Sequence, residues 1–324
     1  MRTRLERAFD RFIEVRGNSD QEIVQLARTM ELDIAVDLGG FTESSRPNLF
    51  AMRAAPLQVS YLGYLGTLGA DYMDYLIADR TIIPLEQQGH YAEKIVYLPS
   101  YQANDSKRVI SSRRFSRQEL GLPPTGFVYC CCNASYKIAP AVFGSWMRML
   151  RRVPDSVLFL VAVNATVQGN LRQEAVARGV AADRLVFGER LPFPEYLARY
   201  GTADLFLDTL PYNAGTTASD ALWAGLPVLT RVGESFAARV AASLLHAVGL
   251  PELVTATPEQ YEATAVELAS NPGRLAEIKD RLARNRLTMP LFDTVRFTRH
   301  LEDAYTQMYR RYQADLNPDH ISVA

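Results

Sequence analysis

Thr216, Thr217 and Asp220 follow a turn containing Pro211, Asn213 and Gly215, and that turn follows an apolar run ending in Asp208. Small residues, hydroxyls and unpaired backbone N–H groups at a helix start suit an anion. The first amides of a helix lack intrahelical acceptors, and the helix dipole is positive there. A diphosphate fits this chemistry, and a nucleotide sugar is the ligand expected to bring it. Asp220 admits two readings. Thr217-x-x-Asp220 matches a capping box with Asp in place of Glu, and an acid at this place can instead accept hydrogen bonds from a ribose.

Other strand ends add candidates. Lys137, in Asn133-Ala134-Ser135-Tyr136-Lys137, is either a point charge for phosphate or a solvated surface cation. Tyr196 and Arg199 share one helical turn and also fit an ordinary amphipathic helix. Leu62 and Gly63 open a glycine-rich loop that reads as an opposing wall or as a tight turn. The signatures of other chemistries are missing. There is no GxGxxG, no GxxxxGK[ST], no Ser-His-Asp pattern and no HExxH. His90, His246, His300 and His320 are scattered, and His246 reads as packed within an apolar helix. Cys130, Cys131 and Cys132 are adjacent, which suits a core strand and not a metal or redox pair.

The elements that must position these residues alternate strand and helix. Residues 1–30 read as helix, and short strands are expected at 33–38, 57–61, 75–78 and 94–98. A polar linker follows at 100–125. Strands at 127–132, 157–162, 184–187, 204–208 and 226–230 then alternate with helices, and a strand near 252–256 precedes three closing helices. In helix 235–248, Phe236, Val240, Leu244 and Val248 recur every four residues as one apolar face. Five or six strands with crossover helices predict a doubly wound parallel sheet.

The chain has 324 residues and a net charge of -1, long enough for two cores and without an electrostatic case for nucleic acid or an anionic membrane. No apolar run approaches the roughly 18–20 residues of a membrane helix. The charged, amphipathic start is not a signal peptide, and a cytoplasmic location is expected.

Seven ordered segments carry a resemblance: VDLGGFT at 36–42, LFAMRAAPLQVSYLGYLGTLGADYMDYLIAD at 49–79, HYAEKIVYLP at 90–99, NASYKI at 133–138, ADLFLDTLPYNAGTTASDALWAGLPVLT at 203–230, GESFAARVAASLL at 233–245 and LFDTVRFTRHLEDAYTQMY at 291–309. Together they resemble the catalytic region of the O-linked N-acetylglucosamine transferases, including the SPINDLY-like proteins, from about Asp33 to Tyr312. The resemblance implies an α/β fold of GT-B type, with two facing Rossmann-like domains and C-terminal helices. The expected boundaries are a partial first lobe at 1–112, a nucleotide-sugar lobe at 113–292 and a closing helix and tail at 293–324. It implies an inverting, metal-independent transfer, most simply of GlcNAc from UDP-GlcNAc to protein Ser or Thr hydroxyls. No cofactor is expected beyond the donor, and the partners are a nucleotide sugar and an acceptor protein. The alternatives are a truncated nucleotide-binding module, another donor such as GDP-fucose, and a GT-B enzyme acting on small molecules or glycans.

Carried over by position, Lys137 matches the lysine at the donor diphosphate. Thr216 and Thr217 match groups at the phosphates, and Asp220 matches the ribose acid. Tyr136, Leu62 and Gly63 match groups near the sugar, and Arg199 matches an arginine near the uracil. The chain departs from the family at Gly215 and Tyr196, where members often carry His, and at Ala134 and Leu65. An S-x-D-F-x-x-H-P-like segment and the tetratricopeptide repeats that usually precede the catalytic region are not in this sequence. The general base is unassigned.

Overall fold

The computed structural model describes residues 2–161 and 164–324. Two compact units divide the chain: Met1–Ile77 with Glu86–Val96 and Glu302–Val323, and Ala78–Leu85 with Tyr97–Leu301 and Ala324.

The first unit opens with α1 (Arg2–Glu6) and α2 (Asp20–Thr29), not with the single helix expected over 1–30. Ser19 accepts from the Glu22 amide while Glu22 reaches back to the Ser19 amide, so a capping box starts a new helix there. Then come β1 (Ile34–Asp37), α3 (Asn48–Ala51), β2 (Leu57–Ser60), β3 (Tyr75–Ala78) and β4 (Lys94–Tyr97). β2 pairs in parallel with both β1 and β3. β2 and β3 are buried along their whole length, as expected of parallel strands covered on both faces. Buried Gln58 is tolerated in β2 because its amide donates to the Phe50 and Tyr72 carbonyls and its oxygen accepts from Ala54 N.

The loops leaving β1 and β2 interlock. Asp37 accepts from the amides of Gly39 and Gly40. A Cβ on Gly63 would lie 1.7 Å from the Leu38 carbonyl oxygen, so this approach of two backbones demands glycine. Buried Glu93 then ties down the far side of the loop through Thr67 Oγ1 at 2.5 Å and Leu68 N at 2.7 Å.

The second unit runs β5 (Val128–Cys131), α4 (Pro140–Arg152), β6 (Val157–Val161), α5 (Ala165–Ala177), β7 (Leu185–Gly188), α6 (Phe193–Arg199), β8 (Leu205–Leu207), α7 (Thr216–Trp223), β9 (Val228–Arg231), α8 (Val240–Ala247), β10 (Val254–Thr255), α9 (Pro258–Ser270) and α10 (Pro272–Asn285). Its sheet order is β10-β9-β8-β5-β6-β7, with every neighbouring pair parallel. Strand order reverses between β5 and β8. The crevice beyond the carboxyl ends of these two strands is the switch point at which doubly wound sheets bind ligands.

Cys130 and Cys131 are buried in β5 and Cys132 is half-buried, all as free thiols. In α8 and the residues flanking it, Phe236, Val240, Leu244 and Val248 are buried as the four-residue spacing predicts. His246, expected to be packed, is exposed instead, because it lies two positions beyond Leu244 and so points away from that face. The chain closes with α11 (Thr294–Gln313) and β11 (Ile321–Ser322). β11 adds to the first sheet, whose order is β1-β2-β3-β4-β11, so the first unit takes back the chain over Glu302–Val323. No described helix is long and apolar enough to cross a membrane.

Candidate functional site

The site lies wholly in the second unit, where the loops after β5 and β8 meet the start of α7. Its scaffold is the fully buried carboxylate of Asp208. Oδ1 accepts from Thr209 N and Ala214 N, both at 2.7 Å, and Oδ2 accepts from Thr230 Oγ1 at 2.6 Å. One side chain therefore closes the turn from 208 to 214 and ties it to β9. Thr209 Oγ1 donates to the Tyr212 carbonyl and Asn213 Nδ2 donates to the Thr209 carbonyl, each at 2.7 Å. Beneath them, Trp146 Nε1 donates to Tyr261 Oη, which donates to the Asp208 carbonyl. The turn is thus anchored to the core.

Asn133, directly after β5, joins the two strand ends. Its Nδ2 donates to Thr209 Oγ1 at 2.7 Å, and its Oδ1 accepts from Thr217 Oγ1. Thr217 is thereby committed to Asn133, and Gly215 supplies the N-cap of α7 with no side-chain hydrogen bond. The capping-box reading of Thr217 and Asp220 is therefore not realised. A Cβ on Gly215 would meet only Val240 Cγ1 at an ordinary 3.6 Å, so internal packing does not require glycine there.

Lys137 reaches this turn from the loop after β5. Its ammonium donates to the Asn213 carbonyl at 3.0 Å and lies 3.9 Å from the centroid of the Tyr212 ring. Burial lowers its pKa, while the nearby Asp208 opposes that shift. Of the other sequence candidates, Tyr136 is 83% exposed and Thr216 is exposed at the first position of α7. Tyr196 shares a 2.5 Å hydroxyl contact with Tyr200 and stacks on Phe193. Arg199 is buried, donates to the Glu189 carbonyl at 2.7 Å and lies against the rings of Phe159 and Tyr196. Its guanidinium holds the loop after β7. Leu62 and Gly63 belong to the first unit; Leu62 has φ of 64° and is 40% exposed.

Asp220 is buried in α7 and paired with Arg108, whose guanidinium also touches Ser219 Oγ at 3.2 Å. Sequence reading passed over Arg108, Asn133, Asp208, Thr209 and Asn213 as site residues. The polar side chains at the ends of β5 and β8 carried a readable signal, since polar groups there face a switch point. Arg108 carried none, because it lies in a polar connecting segment 112 residues before its partner.

Burial raises the carboxyl of Asp208 from an ordinary 3.8 to about 6, against the hydrogen bonds from Thr230, Ala214 and Thr209. Burial likewise raises Asp220 to about 6, with Arg108 opposing. Both groups hold a proton more tightly in the folded chain than in the unfolded one. Stability should therefore fall as pH rises from about 4 to about 6 and level off above that. For Asp208 the loss is on the order of 3 kcal/mol, from a rise of about two in pKa at ~1.4 kcal/mol each. Asp208→Asn should visibly flatten the fall seen in chemical denaturation across this range. A slope equal to that of the unsubstituted protein would contradict it.

The sheet order and switch-point site are those of the doubly wound α/β class, and comparison with known proteins narrows the class to a family. The profile of glycosyl transferase family 41 matches residues 1–112 and 102–301. An Arabidopsis thaliana protein described as a probable UDP-N-acetylglucosamine–peptide N-acetylglucosaminyltransferase, SEC, is 37% identical over 99% of this chain and 34% of its own length. A Solanum lycopersicum protein of the same description, SPINDLY, is 30% identical over 92% of this chain and 32% of its own length. A solved O-GlcNAc transferase mutant from Thermobaculum terrenum superposes with a TM-score of 0.86 at 33% identity, covering 95% of this chain and 59% of that one. The chain belongs to glycosyl transferase family 41, and its fold class is GT-B. It spans about a third of the length of the curated relatives it matches.

Proposed function

We propose that this chain transfers a sugar, GlcNAc from UDP-GlcNAc, to Ser or Thr hydroxyls of an acceptor protein, with inversion at the anomeric carbon. The observation that carries this reading is the convergence of Lys137, the uncapped start of α7 and the Asp208-braced turn at the switch point. The names of the family relatives support the donor and acceptor.

In this reading the diphosphate lies over the first amides of α7 near Thr216 and Thr217. The bare backbone of Gly215 allows close approach, and Asp220 receives the ribose hydroxyls. The acceptor oxygen attacks the anomeric carbon as the bond to the diphosphate breaks. Charge then develops on the leaving diphosphate, which Lys137 and the α7 dipole stabilise. These protein groups serve in place of a metal ion. Tyr136, Tyr196 and the loop held by Arg199 are the groups proposed for the sugar and base.

Calorimetric titration with UDP, GDP and their sugars tests the donor. UDP should bind more tightly than GDP, and UDP-GlcNAc should label a Ser/Thr-containing peptide. Preference for GDP would move the assignment to another donor. Nucleotide binding without peptide labelling, but with donor hydrolysis, would favour a small-molecule or glycan acceptor. Binding with neither labelling nor hydrolysis would favour a nucleotide-binding module.

A further inference from the structure

Arg108 has no part in the reading above, yet it makes the closest polar contact of the proposed ribose acid. Its guanidinium has three polar partners. Nη1 meets Asp220 Oδ1 and Ser219 Oγ, and Nη2 donates to Asn104 Oδ1 at 3.2 Å. The Arg108 side chain is 15% exposed and that of Asp220 is 4% exposed, so the pair is largely withdrawn from water.

Simple pinning of the connecting segment does not account for this arrangement. Trp223 Nε1 already donates to the Arg108 carbonyl at 3.0 Å, and Asn104 N already donates to the Leu291 carbonyl at 2.8 Å. Those contacts fix the segment whatever the guanidinium does. Asn104 also bears a cost in holding Arg108. Its carbonyl oxygen serves Arg108 and Gln102, while its buried amide nitrogen has no partner among the described residues. A planar, permanently charged fork held at three points favours one ionised, fixed orientation of the facing carboxylate. Among the described residues, the Arg108 hydrogen bond to the Asp220 carboxylate falls on Oδ1. Oδ2 is then the acceptor left for an incoming diol.

We propose that Arg108 is a positioning residue that orients Asp220 toward the ribose hydroxyls of the donor, so that selection for an intact ribose depends on it. This rests on the reading of the site as a nucleotide-sugar site. The two claims separate in one experiment.

Binding of uridine diphosphate and of its analogue lacking both ribose hydroxyls is measured on the unsubstituted chain, Arg108→Met and Arg108→Lys, with thermal unfolding as the folding check. The unsubstituted chain should prefer the diol-bearing nucleotide by about tenfold or more, since a charge-assisted hydrogen bond carries an effect of that size. Arg108→Met should bring the two ligands within about twofold while binding of the analogue changes little. Arg108→Lys, which keeps the charge and loses the fork, should restore part of the preference. Full preference retained in the Met variant overturns the proposal, as does an equal loss for both ligands. Should the Met variant fail to fold, full preference in the Lys variant overturns it and an intermediate preference supports it. If the unsubstituted chain binds uridine diphosphate without discriminating the diol, the Arg108 proposal falls and the donor site stands. If it binds neither ligand, the donor site itself falls.

Discussion

Lys137→Ala is expected to weaken binding of uridine diphosphate about 10- to 100-fold, the equivalent of about 1.5–3 kcal/mol for a hydrogen bond to a charged group. The ammonium is half-buried, held by the Asn213 carbonyl and the Tyr212 ring. Its position is set by the same turn that presents the α7 amides. Removing it takes away the side-chain cation at this strand end while leaving the fold of the turn, which depends on Asp208 and Thr209. Calorimetry at fixed salt measures the loss, because exposed charge effects shrink as salt rises. Transfer to peptide should fall at least as far, since charge on the leaving diphosphate grows in the transition state. Nucleotide affinity equal to that of the unsubstituted chain would remove Lys137 from the site.

The second large effect is on stability. Asp208→Ala strands the amides of Thr209 and Ala214 and the hydroxyl of Thr230 in a buried place. Each unsatisfied group costs about 1–3 kcal/mol, and local relaxation brings the expected total to about 3–5 kcal/mol. Chemical denaturation should show this loss, and nucleotide binding should disappear with the turn. Asp208→Asn keeps an oxygen for the two amides, and the Thr230 hydroxyl can turn to accept from the new amide. That variant should retain most of both stability and binding. Equal damage from Ala and Asn would mean that the negative charge, and not the hydrogen-bonding shape, holds the turn.

The two substitutions divide the site into a part proposed to meet the ligand and a part that builds its platform. Sequence patterning favoured the first part. Lys137, Thr216, Thr217 and Asp220 stood out as polar groups beside strand ends and a helix start. The platform was harder to see, since an acid closing an apolar run looks like an ordinary strand terminus until its amide partners are known. Here Ala214 lies six residues beyond Asp208 and Thr230 lies 22 beyond it, with no periodicity linking them.

Local chemistry in the sequence alone determined the alternation of strand and helix, the buried run at Val128–Cys131 and the apolar face of Phe236, Val240, Leu244 and Val248. These are set by hydrophobic period, which is a property of neighbours along the chain. Tertiary structure alone decided which partner each polar group takes. Thr217 bonds Asn133 and does not cap its helix, and Asp220 pairs with Arg108. It likewise decided that Arg199 is buried beneath the loop after β7 and that the chain returns at β11 to the first sheet. The reason is that hydrogen-bond and ion-pair partners are chosen by distance in space after the strands have ordered themselves, and spacing along the chain does not encode that distance.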